Sequence, residues 1–135
     1  MVSEVNKAYA AGIVDGEGCI YIAVYKNKAY SRKYFKLGVK VGMTGDVSCL
    51  AFLHSLWGGN ISRGAGFRGR QIQWSIASND ASSFLQDIMP YLKLKKPQAL
   101  AALKFQENKK MCTEDYGFHH ANILKELKGL SYETI

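Results

Sequence analysis

The segment YFKLGVKVG, residues 34–42, alternates between apolar and polar or small side chains without interruption. Because successive side chains of a β-strand point to opposite faces of a sheet, this period of two predicts a strand with one buried face. A similar alternation over residues 19–27, across a polar turn, predicts that the two segments pair. A sheet with one apolar face needs a covering layer. The residues predicted to face the core are Ile20, Ile22, Val24, Phe35, Leu37, Val39 and Val41.

A second pair of strand-like segments lies further along the chain. GNISRGA and QIQWSIAS flank a glycine-rich basic turn, and Ile72, Trp74 and Ile76 are predicted to face inward. Segments with helical apolar spacing lie before, between and after the two pairs. The predicted order is α-ββ-α-ββ-α with C-terminal helices. This is a single α+β domain over residues 1–135, with a concave antiparallel sheet, a core at about 4–107 and a helical extension at about 113–130.

Capping and breaking residues predict where the helices begin and end. Ser3 is expected to cap a first helix over about 4–14, which the glycines that follow would end. Pro97 suits the first position of a later helix. The other expected starts are Thr44 or Asp46 and Asn79 or Asp80, and the expected ends are Gly58-Gly59 and Gly129.

The excess positive charge is confined to one part of the chain. The formal net charge is +7, and residues 18–79 hold nine Lys or Arg side chains against one acid, Asp46, for a net +8. A concentrated basic surface is typical of proteins that face phosphates. Lysine-rich strands can also be solvated edges that resist aggregation, and this alternative stays open here.

The outward side of the two strand pairs carries the side chains a nucleic-acid reader needs. Lys and Arg can meet phosphates or guanine, Gln and Asn can bond adenine, and Tyr can stack on bases or simply favour a strand. The predicted DNA-binding residues are Tyr21, Tyr25, Asn27, Lys28, Arg32, Lys36, Lys40, Arg63, Arg68, Arg70, Gln71 and Gln73.

Few other features of the sequence indicate the cellular location or the class of the protein. Its three cysteines are scattered and are expected to be reduced thiols of an intracellular protein. No apolar run reaches membrane-spanning length, and the N-terminal residues are not expected to form a signal peptide. The sequence is compatible with an organelle, a bacterium or a phage as the host.

Small residues recur every four positions in the first helix, at Ala8, Gly12 and Gly16. They line one helical face without a bulky side chain, which lets another backbone approach closely. That neighbour is either the protein's own sheet or the same helix of a second copy. The spacing does not distinguish the two.

Two carboxylates, Asp15 and Glu17, lie where this helix is expected to end. Acids at a helix C-terminus are unfavourable because the helix dipole there favours cations. Their presence therefore suggests a bound cation, and carboxylate and carbonyl oxygens suit Mg²⁺. A solvated acidic turn is the alternative.

Residues 10–18, AAGIVDGEG, resemble the LAGLIDADG motif of the homing endonuclease family, with Ala10 in place of the leading Leu and Glu17 in place of the second Asp. The element order matches the family core, and PYLKLKKPQA resembles the family's lysine loop with Lys95 as the matching residue.

The resemblance implies roles for individual residues. Glu17 would ligate the metal with the carbonyl of Gly16, and Lys95 would lie near the scissile phosphate. Asp15 would cap or stabilise the helix seam, at which Ala8, Gly12 and Gly16 join two chains, rather than bind metal. Thr44 is only a weak match for a further polar residue that the family has near its second helix.

The resemblance also implies a function. A chain with one motif would act as a homodimer, a site-specific double-strand DNA endonuclease that uses Mg²⁺ or Mn²⁺. Its target would be long and nearly palindromic, and its products would carry 3′ overhangs. The alternative is a maturase that binds RNA, or another non-cleaving nucleic-acid-binding protein on the same fold.

Overall fold

The first helix, α1 (Glu4–Glu17), is longer than its sequence suggests. In the computed structural model, which describes residues 2–27, 32–63, 71–109 and 113–133, the Ser3 hydroxyl accepts a hydrogen bond from the Asn6 N–H at 3.2 Å. The expected N-cap is therefore confirmed. The expected end near Val14 is wrong, because the helix continues through Gly16 and ends at Glu17.

Two antiparallel strand pairs form one four-stranded sheet. The strands are β1 (Gly18–Asn27), β2 (Arg32–Met43), β3 (Asn60–Arg63) and β4 (Ile72–Ala77). Their order in the sheet is β1-β2-β4-β3. In the register, Tyr21 lies opposite Gly38, and Val41 lies opposite Trp74. The predicted pairing of both hairpins is confirmed.

The remaining helices follow the expected order. They are α2 (Ser48–Trp57), α3 (Ser78–Ile88), α4 (Lys96–Glu107) and α5 (Glu114–Glu133), with a 3₁₀ turn at Met89–Tyr91. Pro97 is the second residue of α4 rather than the first, and α5 continues past Gly129. Val47 is the N-cap of α2 rather than Thr44 or Asp46, although Asp46 Oδ1 accepts a hydrogen bond from the Ser48 N–H at 2.9 Å. Helix α3 begins at Ser78, before the expected Asn79 or Asp80.

The core lies between the helices and the apolar face of the sheet. Leu37, Val39 and Val41 are fully buried, as their alternation predicts, and Trp74 joins them from β4. Val24 is 45% exposed, because it lies toward the far end of the β1–β2 hairpin. The helices contribute Ala10, Ala11, Val14, Leu50, Leu53, Phe84, Leu85, Ile88, Ala102 and Phe105 to this core.

The last helix, α5, packs on the β1–β2 hairpin and on α4. Gly117 lies directly against the ring of Phe35, and the Glu114 carboxylate accepts a hydrogen bond from the Lys33 N–H at 3.1 Å. Among the described helices, none combines the length and the apolar composition that crossing a membrane requires.

Candidate functional site

The carboxylate of Glu17 lies at the C-terminal end of α1, where helix gives way directly to strand. Its side chain is exposed and lines a cavity of about 300 Å³. The other wall comes from the sheet and from the segment before α2. The residues sharing this cavity with Glu17 are Gly42, Met43, Thr44 and Gln71.

The carboxylate of Asp15, two residues earlier, accepts hydrogen bonds from the protein's own backbone. Its Oδ2 accepts a hydrogen bond from the Lys93 N–H at 2.8 Å, and its Oδ1 accepts one from the Lys95 N–H at 2.9 Å. Lys95 is the N-cap of α4, so the carboxylate lies at the positive end of that helix. Asp15 is therefore a structural acid, which agrees with its expected supporting role but places its contacts in the lysine loop rather than in the small-residue face.

Lys95 supplies the cation that the end of α1 lacks. Its Nζ donates to the carbonyl oxygens of Val14 at 2.8 Å, Asp15 at 3.2 Å and Gly18 at 2.6 Å. An ammonium has three donors, and all three are used here. The carbonyl of Gly16 is not among these acceptors.

The environment of Lys95 sets its protonation. Burial lowers the pKa of the ammonium below its usual range, and the nearby carboxylate of Asp15 opposes this shift. Lys128 on α5 acts in the same direction as burial, because like charges disfavour each other. Sequence reasoning missed Lys128, whose Nζ lies 3.4 Å from Cys19 Sγ.

The outward face of the sheet combines tyrosines and lysines. The Tyr21 ring lies across Gly38, which has no side chain to hold it away. The Lys40 Nζ lies 5.2 Å from the Tyr21 ring centroid, and the Lys36 Nζ lies 5.9 Å from that of Tyr25, both within cation–π range. Burial raises the pKa of Tyr21, so its hydroxyl stays neutral.

The structure describes only some of the predicted DNA-binding residues. Gln73 lies on β4 opposite Gly42, on the outward face. Arg63 is exposed on β3, but its predicted place on the outward face is wrong, because it lies opposite Ile72, which packs against the core, and cross-strand partners share a face. Gln71 lines the Glu17 cavity, which its sequence position did not indicate. Lys28, Arg68 and Arg70 lie outside the described residues, as do the side chains of Asn27 and Arg32.

The small-residue face of α1 does not pack on the protein's own sheet. Ala8, Gly12 and Gly16 are exposed, and a Cβ built on either glycine meets nothing within 4 Å. Val5 and Tyr9 on the same helix are 78% and 53% exposed. Of the two expected neighbours, packing on the sheet within one chain is therefore wrong.

A match to a family model decides which group of proteins the chain falls into. The model for the LAGLIDADG endonuclease matches residues 10–112, which is most of the chain. The chain belongs to the LAGLIDADG endonuclease family. The match begins at Ala10 in α1 and takes in Glu17, the four strands and Lys95.

A curated relative and several solved structures are similar to this LAGLIDADG chain. It is 33% identical over 54 residues to a probable intron-encoded endonuclease 4 of Neurospora crassa, covering 40% of this chain. The matched part is only 10% of that protein's length.

The solved structures share the LAGLIDADG fold with this chain. A complex of the homing endonuclease I-CvuI with its target, in the presence of 2 mM Ca, has a TM-score of 0.76 at 20% identity and covers 95% of this chain and 82% of that chain. The archaeal intron-encoded homing endonuclease I-Vdi141I, complexed with DNA, has a TM-score of 0.72 at 13% identity and covers 93% and 84%. At these identities the likeness shows the fold alone.

The donor set at Glu17 fits a hard divalent ion, but only in part. Glu17 makes no hydrogen bond or ion pair within the described part of the chain, so both carboxylate oxygens are available. The described residues contain no group of three or more His, Cys, Asp or Glu that could hold a metal. An ion such as Mg²⁺ can bind with so few protein ligands, because water molecules and phosphate oxygens fill the rest of its coordination shell.

Proposed function

We propose that this protein is a site-specific homing endonuclease that hydrolyses both strands of a DNA duplex. The observation that carries the proposal is the position of Glu17. One chain places an available carboxylate at the last residue of α1, beside a polar cavity and immediately before a sheet whose outward face is basic. Membership of the LAGLIDADG endonuclease family supports the same reading.

The basic face of the sheet is proposed to bind the duplex. Lys36 and Lys40 project from β2 on this face, where they can neutralise phosphates of the duplex. Two nucleases of similar fold were solved in complex with DNA, which supports DNA as the partner.

A divalent ion is proposed to be held by Glu17 and the carbonyl of Gly16, with phosphate oxygens completing its coordination. When bound, such an ion activates water and stabilises the leaving oxygen of a phosphodiester. Asp15 and Lys95 keep the end of α1 in place, so that Glu17 meets the same phosphate in each complex. The expected products carry 3′ overhangs.

Cleavage of two strands is proposed to need two copies of the chain. One chain supplies one Glu17, and its described residues hold no cluster of three or more potential metal ligands. The exposed Ala8, Gly12 and Gly16 face allows two α1 helices to approach about a twofold axis, which would bring both Glu17 residues together and match a near-palindromic target.

Cleavage selection from a randomised duplex library with Mg²⁺ or Mn²⁺ tests the proposal and identifies the target. Glu17→Gln should abolish cutting on the selected duplex while DNA affinity is retained. Glu4→Gln, an exposed acid in the first turn of the same helix, is the matched control. Cutting that persists in Glu17→Gln contradicts the proposal, and tight binding without cutting would indicate a maturase or other binding protein instead.

The dimer is tested separately by sedimentation. Gly12→Leu should raise the dimer dissociation constant at least tenfold, because its side chain would occupy the proposed seam. Lys125→Leu places the same side chain on an exposed position of α5 and should leave association unchanged. Equal association of the two variants would refute the seam.

A further inference from the structure

We propose that Gln71 is a polar residue of the cleavage site, and that its carboxamide positions water opposite the Glu17 carboxylate. This inference rests on the proposed function and deepens it. The observation behind it is the cavity of about 300 Å³, in which Glu17 forms one wall and Gln71 another.

The register of the sheet explains how Gln71 reaches this cavity. Gln71 immediately precedes β4, and the neighbouring strand places Gly42 opposite Gln73. Residues diagonal to each other on one face of an antiparallel pair are close enough for a long side chain to reach across. The Gln71 side chain therefore crosses from the end of β4 to Gly42 on β2.

Gly42 leaves the space that the carboxamide uses. A Cβ at Gly42 would lie 2.5 Å from Gln71 Nε2 and 2.7 Å from Gln71 Cδ, closer than real contacts allow. Any other residue at this position would force the carboxamide to shift. Gly42 thus leaves room for the observed position of Gln71.

The carboxamide is chemically available at this position. Within the described part of the chain it makes no hydrogen bond, and it lies half-buried beside the cavity. A carboxamide offers donors and an acceptor together, so it can orient a water whose other partner is a carboxylate or a metal ion. Thr44 also lines the cavity, but its side chain is exposed and short.

The opposite wall explains why a neutral residue suits this role. Glu17 brings the negative charge that attracts a cation, and the described residues bring no second carboxylate to the cavity. Water molecules must therefore fill much of an ion's coordination shell. The neutral carboxamide of Gln71 can orient such water molecules without changing the charge of the site.

The test compares Gln71→Ala with Gln71→Glu and with Gln86→Ala, an exposed glutamine on α3. The Mn²⁺ affinity of the protein–duplex complex is measured by calorimetry. The single-turnover cleavage rate is measured at saturating protein, and the DNA Kd is measured in EDTA. Gln71→Ala should lower Mn²⁺ affinity or the rate by about 10–100-fold, the usual effect of removing an outer partner of a metal site. The DNA Kd should stay at the wild-type value, which would separate this role from the DNA contact that the sequence predicts for Gln71.

Gln71→Glu keeps the length and the acceptor and adds a charge, so Mn²⁺ affinity should reach or exceed that of the wild type. Such a gain shows that the side chain at position 71 reaches the ion. The inference is overturned if Gln71→Ala matches Gln86→Ala in both Mn²⁺ affinity and rate, or if only its DNA Kd changes.

The outcomes separate this inference from the proposed function. A wild-type protein that cuts DNA, with an equally active Gln71→Ala, refutes the role of Gln71 alone. A wild-type protein that does not cut, but whose Mn²⁺ affinity falls in Gln71→Ala, refutes the endonuclease and leaves Gln71 only as a partner of the ion at Glu17. Absence of both cutting and Mn²⁺ binding refutes both.

Discussion

Asp15 and Lys95 bind each other's backbone. The Asp15 carboxylate accepts a hydrogen bond from the Lys95 N–H at 2.9 Å, and the Lys95 ammonium donates to the Asp15 carbonyl at 3.2 Å. The exchange places an anion at the N-terminus of α4 and a cation at the C-terminus of α1. Each charge is unfavourable or neutral on its own helix and favourable on the other.

Removing the acid of this pair should destabilise the fold. Asp15→Ala leaves the N–H groups of Lys93 and Lys95 without their acceptor, and we expect the unfolding free energy to fall by about 1–3 kcal/mol. Urea denaturation measures the change. Glu4→Ala removes an exposed carboxylate that pairs with Lys7 at 3.4 Å and should cost about 1 kcal/mol or less. Equal losses would contradict the structural role of Asp15.

Removing the Lys95 ammonium should destabilise the C-terminal end of α1. Lys95→Met leaves the carbonyls of Val14, Asp15 and Gly18 without their donor, for an expected loss of about 1–3 kcal/mol. Lys93→Met, an exposed lysine two residues earlier, is the control and should be near neutral. Hydrogen exchange at residues 16–19 should accelerate only in Lys95→Met.

The same variant bears on the expected role of Lys95 at the scissile phosphate, which stays a prediction. Cleavage is assayed at a temperature where Lys95→Met is fully folded. A rate at the wild-type value there would restrict Lys95 to its structural contacts.

Lysines on the outward face should govern the salt dependence of DNA binding. Each neutralised phosphate contributes a slope of about −0.9 to log K against log salt concentration. Lys40→Ala should therefore reduce the magnitude of the slope by about 1, uniformly across sequences. Lys125→Ala removes an exposed lysine of α5 and should leave the slope unchanged. Equal slopes for the two variants would place the duplex elsewhere.

Two glycines of α5 should respond to alanine in opposite directions. At Gly117 a Cβ would run into the Phe35 ring, so Gly117→Ala should destabilise the protein by about 1–3 kcal/mol. At Gly129 a Cβ meets nothing within 4 Å, and Gly129→Ala should stabilise it by up to about 1 kcal/mol through helix propensity. Thermal melts compare the two. A stabilised Gly117→Ala would show that α5 does not dock on Phe35 in solution.

The strands were predictable because their signal is local. A period of two over Phe35, Leu37 and Val39 states which face is buried, and the register follows once two such strands pair. The end of α1 was misplaced because glycines usually end helices, whereas here Lys95 takes up the last carbonyls and the helix continues to Glu17. That α1 has no basic residue in its last turn was the available signal that a cation had to come from elsewhere.

The sequence by itself determined the element order and the buried face of each strand, and its resemblance to a family motif predicts Glu17 as the metal-ligating acid. These depend on side-chain period and on a short motif, both readable along the chain. Only the tertiary structure decided that Asp15 is held by the Lys95 loop and that Gln71 faces Glu17 across Gly42. Those contacts join residues about 30 to 80 positions apart, and their geometry depends on sheet register and helix docking rather than on local pattern.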